Sequence, residues 1–424
     1  MSARTPKLDA YPAYLILEGG WSLGFSLIAT VNLVWQAEVV GLNPLQLVLV
    51  GTLLEATCFL GEVPTGVAAD LYSRRLSIVI GVVMTGAGFF LEGAVPRFEA
   101  VLLAQVIWGL GATFLSGATQ AWISDEIGDA AAGHAFLRAA QVRQICTLAA
   151  VPLSVALASL RLNVPILVGA SLMLVLGAYL ALAMPETGFC PKPRQHQAPW
   201  HSMTSIVREG GSAVRASPLL LTLLLVAAFV GMASEGLDRL STVHILDDLG
   251  LPALGGLDPV TWFGVIRGGA LVLGIAGTQA VRRWVNTSDG PVVARALFAS
   301  DALRVVGVVL FGLTQNFYVG IAAAWGVSVL RTVNQPIYMA WLNQRLESST
   351  RATVLSMSGQ MDALGQIAGG PLVGAVGTVS IRAAIVLTGL VLTPALWLYV
   401  RASRQLAQTP HPASSVERLG APTA

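Results

Sequence analysis

The chain has 424 residues, 54% of them hydrophobic and 11% charged, with a net charge of +2. Soluble domains carry about 25% charged residues, so this deficit excludes an ordinary globular domain, and the scattered charges give no reason to expect a nucleic-acid partner. Apolar stretches recur along the whole length, each matching the roughly 20 helical residues that cross a hydrocarbon core of about 30 Å. The short alternating strands of a β-barrel are not seen, and the fold class that follows is an all-α membrane protein.

In chain order, apolar runs bounded by charge, Pro or Gly predict twelve spans. The first six lie near 11–37, 44–69, 76–95, 98–123, 137–160 and 163–184. The second six lie near 218–245, 258–282, 292–313, 316–343, 352–376 and 380–401. The first run, from Tyr11, is too long for a signal core and is read as a retained span. Span 8 is interrupted by Gly264, Arg267, Gly268 and Gly269. Cys58 and Cys146 fall in apolar runs and Cys190 in a connector, without disulfide or metal-ligand spacing.

The basic residues sort by side. Arg74, Arg75, Arg138, Arg208, Arg282, Arg283, Arg345, Arg351 and Arg401 fall in even-numbered connectors or at the termini, whereas odd-numbered connectors hold Arg97, Arg161 and Arg382. The positive-inside rule then puts both termini in the cytoplasm. Two lysines against 23 arginines suit a GC-rich bacterial genome, hence a multi-pass protein of a bacterial inner membrane. A polar stretch rich in Pro, His, Arg and Ser divides the chain. The expected organisation is a six-helix half at 1–184, a cytoplasmic linker at 185–217, a second half at 218–401 and a disordered tail at 402–424. A weak repeat supports the division: Gln120-Ala121-Trp122-Ile123 ends span 4 and Met339-Ala340-Trp341-Leu342 ends span 10. Two halves with a site between them is an architecture that transporters use.

Between spans 2 and 3 the chain reads Gly66-Val67-Ala68-Ala69-Asp70-Leu71-Tyr72-Ser73-Arg74-Arg75. A glycine here lets the helix end approach a neighbour, Asp70 caps or pairs at that end, and the two arginines hold the loop at an anionic leaflet. This segment resembles the loop signature of the major facilitator superfamily. Gly109–Glu126 and Arg351–Ser356 resemble the fourth and eleventh helices of its bacterial drug-efflux-like branch. The resemblance implies twelve helices in two pseudo-symmetric halves, and a latch in one transport state formed by Gly66, Asp70, Arg74 and Arg75. The chain departs from that branch in span 5, where Ala149-Ala150-Val151-Pro152-Leu153 replaces the Gly-Pro-rich signature of drug antiporters; Gly369-Gly370-Pro371 occurs in span 11 instead.

An ionisable side chain at mid-bilayer costs roughly 2.5–3.5 kcal/mol on insertion scales, so each should face protein or a wet cavity. Those expected in spans are Glu18, Glu55, Glu62, Arg143, Glu235, Asp238, Arg239, Arg267, Asp301, Arg304, Arg331 and Asp362. Glu235 with Arg239, and Asp301 with Arg304, share helix faces and self-neutralise. Glu55 and Glu62 stand on one face of span 2 with no basic neighbour in the helix, the pattern of proton coupling. The plainer alternatives are that Glu62 supports the loop motif and that Glu55 pairs with an arginine such as Arg143. Arg143 itself would bind an anionic substrate group or neutralise a span 2 glutamate. Arg267 and Arg331 would form a basic patch or pair with Asp301 or Asp362. His244 and His134 are expected in solvated positions, and Trp21, Phe25, Trp108, Phe114 and Trp325 either line an apolar pocket or pack between helices.

The expected function is secondary active transport by alternating access, in the form of proton-coupled efflux of an amphipathic or cationic small molecule. Its partners would be that substrate, protons and membrane lipid, with the chain acting as a monomer. One rival is an importer of a polar metabolite, for which Asn32, Gln105, Gln141, Gln335 and Gln360 would line the cavity. Another is a scaffold or scramblase that moves no solute. No nucleotide-binding loop, cofactor fingerprint, metal cluster or nucleophile motif occurs, so neither an enzyme nor a cofactor is expected.

Overall fold

The computed structural model describes residues 9–190, 217–252, 258–284, 290–344 and 351–408. Most of the expected linker, the last part of the expected tail, Arg345 and the side chains of Arg282, Arg283 and Arg351 lie outside the described residues. The described residues form twelve long helical segments. The first six are α1 (Ala10–Glu38), α2 (Pro44–Leu71), α3 (Arg74–Ala94), α4 (Phe98–Leu115 and Ala118–Ile127), α5 (Asp129–Ala158) and α6 (Val164–Ala183). The second six are α7 (Pro218–Val243, extended by a π-turn, His244–Leu249), α8 (Pro259–Trp284), α9 (Gly290–Leu313), α10 (Phe317–Gln344), α11 (Arg351–Gly377) and α12 (Ile381–Val391 and Thr393–Gln408). Ten are long and apolar enough to cross a membrane; α10 and α11 are long enough but less apolar.

Local sequence explains the helix ends. Asn43 and Gln46 form a reciprocal capping box with Pro44 in the first turn of α2. Ser73 Oγ accepts the Leu76 N–H at 2.9 Å and starts α3. The break in α4 falls at Gly117, whose φ of 70° suits a residue without a Cβ. In α12 the interruption sits at Leu392, because Pro394 has no N–H to give to Leu390; the Thr393 hydroxyl donates to that carbonyl instead, at 2.7 Å.

Several elements depart from the sequence reading. α5 begins at Asp129, eight residues before the expected span, so His134 is helical. α8 is continuous through its glycines, because a Cβ at Gly264 would meet Val155 and one at Gly269 would meet the Trp325 ring. These glycines admit neighbours; they do not interrupt the helix. α12 continues to Gln408, into the stretch expected as tail. The expected linker also starts late, since residues 185–188 are bonded to α3 and α4: Trp122 Nε1 donates to Pro185 O at 2.9 Å, and Glu126 accepts from Thr187 and Gly188.

Two buried cores lie mainly one in each half, and a third cluster, with Val34 and Val48 against Leu240, Val373 and Ile385, spans both. The first joins Tyr14, Trp35, Ile78, Trp122, Ile166 and Met173; the second joins Leu223, Leu297, Trp341, Leu398 and Tyr399. Trp122 and Trp341, the repeated tryptophans, are both buried at equivalent places. With no hydrophobic drive between helices in lipid, close backbone approach supplies the packing. Gly81 and Gly111 illustrate it, since a Cβ on either would press on the carbonyl oxygen of the other at 2.7–2.8 Å. Leu160, Val175 and Leu182 point outward at 66–71% exposure, as suits a lipid-facing surface.

The two halves meet chiefly through α2 against α11 and α7, and through α5 against α8. The contacting residues are Pro44, Leu45, Val48 and Thr52 against Gly370, Gly374 and Gly377, and Val151 and Val155 against Gly264 and Gly268. All lie toward the end of the bundle opposite the one where α1 begins and α12 ends. These contacts between the halves are therefore made toward that distal end.

Candidate functional site

The residues beside this junction of the halves are charged. α7 presents Glu235, Asp238 and Arg239 over one turn, and Arg239 Nε donates to Glu235 Oε1 at 3.1 Å, as the i,i+4 spacing predicts. Glu235 is buried at 2% exposure and lies directly on α2 of the other half: a Cβ at Gly51 would overlap its carboxylate. One turn beyond Gly51, Glu55 stands within Coulombic range of Glu235, Asp362, Arg239 and Asp238. Arg331 of α10 reaches Asp238 with both terminal nitrogens, Nη2 to Oδ2 at 2.8 Å. Asp362 of α11 accepts from Gln366 Nε2 at 2.9 Å. Four carboxyl groups thus face two guanidinium groups where the halves meet.

Two cavities lie on either side of the Arg331–Asp238 pair. One of about 310 Å³, toward the termini, is lined by Ser234, Arg331, Asn334, Tyr338, Ser358 and Asp362. The other, about 250 Å³ and toward the distal end, is lined by Asp238, Ser241, Phe311, Ser328 and Arg331. Behind the first cavity, Asp301 is nearly enclosed. It accepts from Arg304 Nη1 at 2.6 Å, Asn334 Nδ2 at 2.8 Å and Tyr399 OH at 2.8 Å, tying α9, α10 and α12 together.

Other expected partners differ. Arg143 pairs with Glu18 of α1 at 2.8 Å, not with a glutamate of α2. Arg331 pairs with Asp238 rather than with Asp301 or Asp362. Arg267 joins neither acid: its Nη1 donates to Ala29 O of α1 at 3.1 Å, across the halves. Glu62 accepts from Ser116 at the break in α4, at 2.7 Å. His244 is fully buried instead of solvated, with Nδ1 2.8 Å from Asp248 Oδ2 and Nε2 2.9 Å from Phe311 O. Trp21 stacks on Phe25 and Phe89 on Trp108, and Phe25 meets the second pair edge-on or tilted, inside the first half.

The loop motif is bonded within its own half. Arg74 reaches Asp125 and the Ala121 carbonyl of α4 and lies 3.6 Å from Asp70. Glu186 takes the Ser73 hydroxyl at 2.7 Å and the Arg75 N–H at 2.9 Å, while the Arg75 guanidinium donates to Ala181 O. Arg74 therefore turns inward instead of toward lipid. Among the described residues, Gly66 has no neighbour where its Cβ would be, so the expected close approach is not seen there. Glu92, buried on α3, was missed among the ionisable residues of the spans; the apolar run around it reads as an ordinary span end.

Two six-helix bundles with a cluster of charges at their junction and cavities beside it in the second half are an architecture that membrane transporters use. The sequence profile of the Major Facilitator Superfamily matches residues 13–293, more than half of the chain, and the chain belongs to that family. An uncharacterized MFS-type transporter of Bacillus subtilis (strain 168), YxaM, is 25% identical over 345 residues, covering 78% of this chain and 80% of that protein. Two solved structures share the fold. A bacterial homolog of the human lysosomal transporter Spinster, inward-facing and unoccupied, has a TM-score of 0.76 at 15% identity, covering 96% of this chain and all of that one. The nucleoside transporter NupG has a TM-score of 0.72 at 13% identity, covering 93% of this chain and 99% of that one.

Proposed function

We propose that this chain is a proton-coupled secondary transporter that exports a small organic cation by alternating access, in the inner membrane of a bacterium. The observation that carries the reading is the acidic excess between the halves. Among the described residues, Glu55, Glu235, Asp238 and Asp362 face Arg239 and Arg331 there, and Arg304, which also lines the cavity beside Asp362, is taken up by Asp301; two carboxyl groups are left for protons or for a cationic substrate. A buried carboxylate without a counter-charge is costly, so the two cargoes compete for the same acids, which is the logic of exchange. Glu55 is the coupling residue in this reading, since it belongs to the first half while its charged neighbours belong to the second. Glu62, bonded to Ser116, relays or supports it.

The termini are cytoplasmic on the distribution of Arg and Lys, so the distal end, where these contacts between the halves lie, faces outward. The fold shared with the inward-facing Spinster homolog supports that assignment. The test uses inverted vesicles with an imposed pH gradient and a panel of cationic compounds. Substrate-evoked proton movement that Glu55→Gln abolishes supports the reading, and unchanged proton movement in that variant removes Glu55 from it. A second reading, import of a polar metabolite, is favoured by Ser234, Asn334, Gln335, Tyr338 and Ser358 around the larger of the two cavities beside the Arg331–Asp238 pair. Saturable uptake by whole cells, without exclusion of any cation, would select it.

A further inference from the structure

Glu92 lies near the distal end of α3 with no exposure to solvent. Its Oε1 is 2.6 Å from Gln36 Nε2 of α1, and its Oε2 is 3.1 Å from Gln105 Nε2 of α4. Gln105 is held in turn by the Trp108 N–H at 2.8 Å, and Asn32 of α1 presents its amide to the same carboxyl. From α6, Ile166 and Leu167 close the next turn of α3 at Gly93. No cation forms an ion pair with Glu92 among the described residues. Within this cage two acceptors, Gln36 Oε1 and Asn32 Oδ1, have no donor.

We infer that Glu92 is a proton-binding site, occupied in this state, with its O–H donated to the Gln36 amide oxygen. Three observations converge on it. A carboxylate enclosed by neutral amides lacks the counter-charge that a buried ion needs. The 2.6 Å separation lies below the usual N–H···O range of about 2.7–3.2 Å and within the O–H···O range of about 2.5–3.0 Å. A half-turn of the Gln36 amide, which exchanges two atoms of nearly equal size, puts the orphaned oxygen at that position. The site is separate from Glu55, which faces the other half, and it does not rest on the transport reading.

The test compares infrared spectra of the full-length wild type and Glu92→Gln in lipid nanodiscs at neutral pH, without substrate or gradient. The expected difference is a protonated carboxyl C=O band present in the wild type and missing in the variant. Loss of a carboxylate band instead would overturn the inference. Thermal unfolding adds a second arm: Glu92→Gln, a neutral isostere of the acid, should keep the wild-type midpoint, whereas Glu92→Ala lowers it. A fall in Glu92→Gln as large as in Glu92→Ala would show that the ionised form is required and would also overturn it. A protein that showed the band but no proton-coupled flux would defeat the proposed function and leave this site standing.

Discussion

Arg331 of α10 grips Asp238 of α7 through both terminal guanidinium nitrogens, and the pair stands between the two cavities of the second half. Both side chains are about 40% exposed, so the pair adds about 0–1 kcal/mol to stability. Its weight is positional. We expect Asp238→Asn and Arg331→Gln each to leave the unfolding midpoint nearly unchanged and to reduce flux about tenfold or more. The double variant should unfold like the wild type yet remain inactive. Unimpaired flux in either single variant would show that the partition between the cavities is not part of the transport path.

Gly51 controls how closely the halves meet. A methyl group there would overlap the Glu235 carboxylate, and overpacking of this kind costs about 1–3 kcal/mol. Because the clash exists only while the distal ends are joined, Gly51→Ala should shift the population away from this state by about 5- to 150-fold. Spin-label distances across the distal and terminal ends read that shift. Unchanged distance distributions would mean that Glu235 moves aside at little cost.

Arg74 is 13% exposed on its side chain and bonds both Asp125 and a backbone carbonyl of α4. Charge-assisted hydrogen bonds of this kind are worth about 1.5–3 kcal/mol. Arg74→Ala should therefore destabilise the first half by about that amount, measured by thermal unfolding in detergent, with Arg74→Lys in between. A variant as stable as the wild type would restrict the motif to a role in the opposite state.

His244 joins the π-turn of α7 to α9 and, through Asp248, to α12: Arg382 Nε holds Asp248 Oδ1 at 3.0 Å. Replacing His244 by Ala leaves the Phe311 carbonyl without its partner in a closed site, at about 1–3 kcal/mol. Arg382→Ala, removing a half-exposed partner, should cost less. Equal midpoints for the two variants would contradict this ordering.

The loop from Ser73 to Arg75 shows where reading along the chain stops. Its residues are recognisable as a motif in the sequence, but the cap that Ser73 makes on α3 is not. The partners of those residues, Glu186 and Asp125, lie 51 or more positions away. Glu92 was missed for a related reason: a single carboxyl at a span end has the sequence appearance of an interfacial residue, and only the convergence of α1, α3 and α4 encloses it.

By itself the sequence determined the elements. Hydropathy over about 20 residues sets the spans, because a helix must satisfy its own backbone in lipid. Helical periodicity sets the Glu235–Arg239 and Asp301–Arg304 pairs, because residues three or four apart share a face whatever surrounds them. Only the tertiary structure decided that Arg143 meets Glu18, that Arg331 meets Asp238, that Arg267 meets the Ala29 carbonyl and that the halves join at the distal end. Those outcomes depend on how each helix is rotated and how closely glycines such as Gly51 and Gly370 let backbones approach, and neither quantity is carried by one span's own residues.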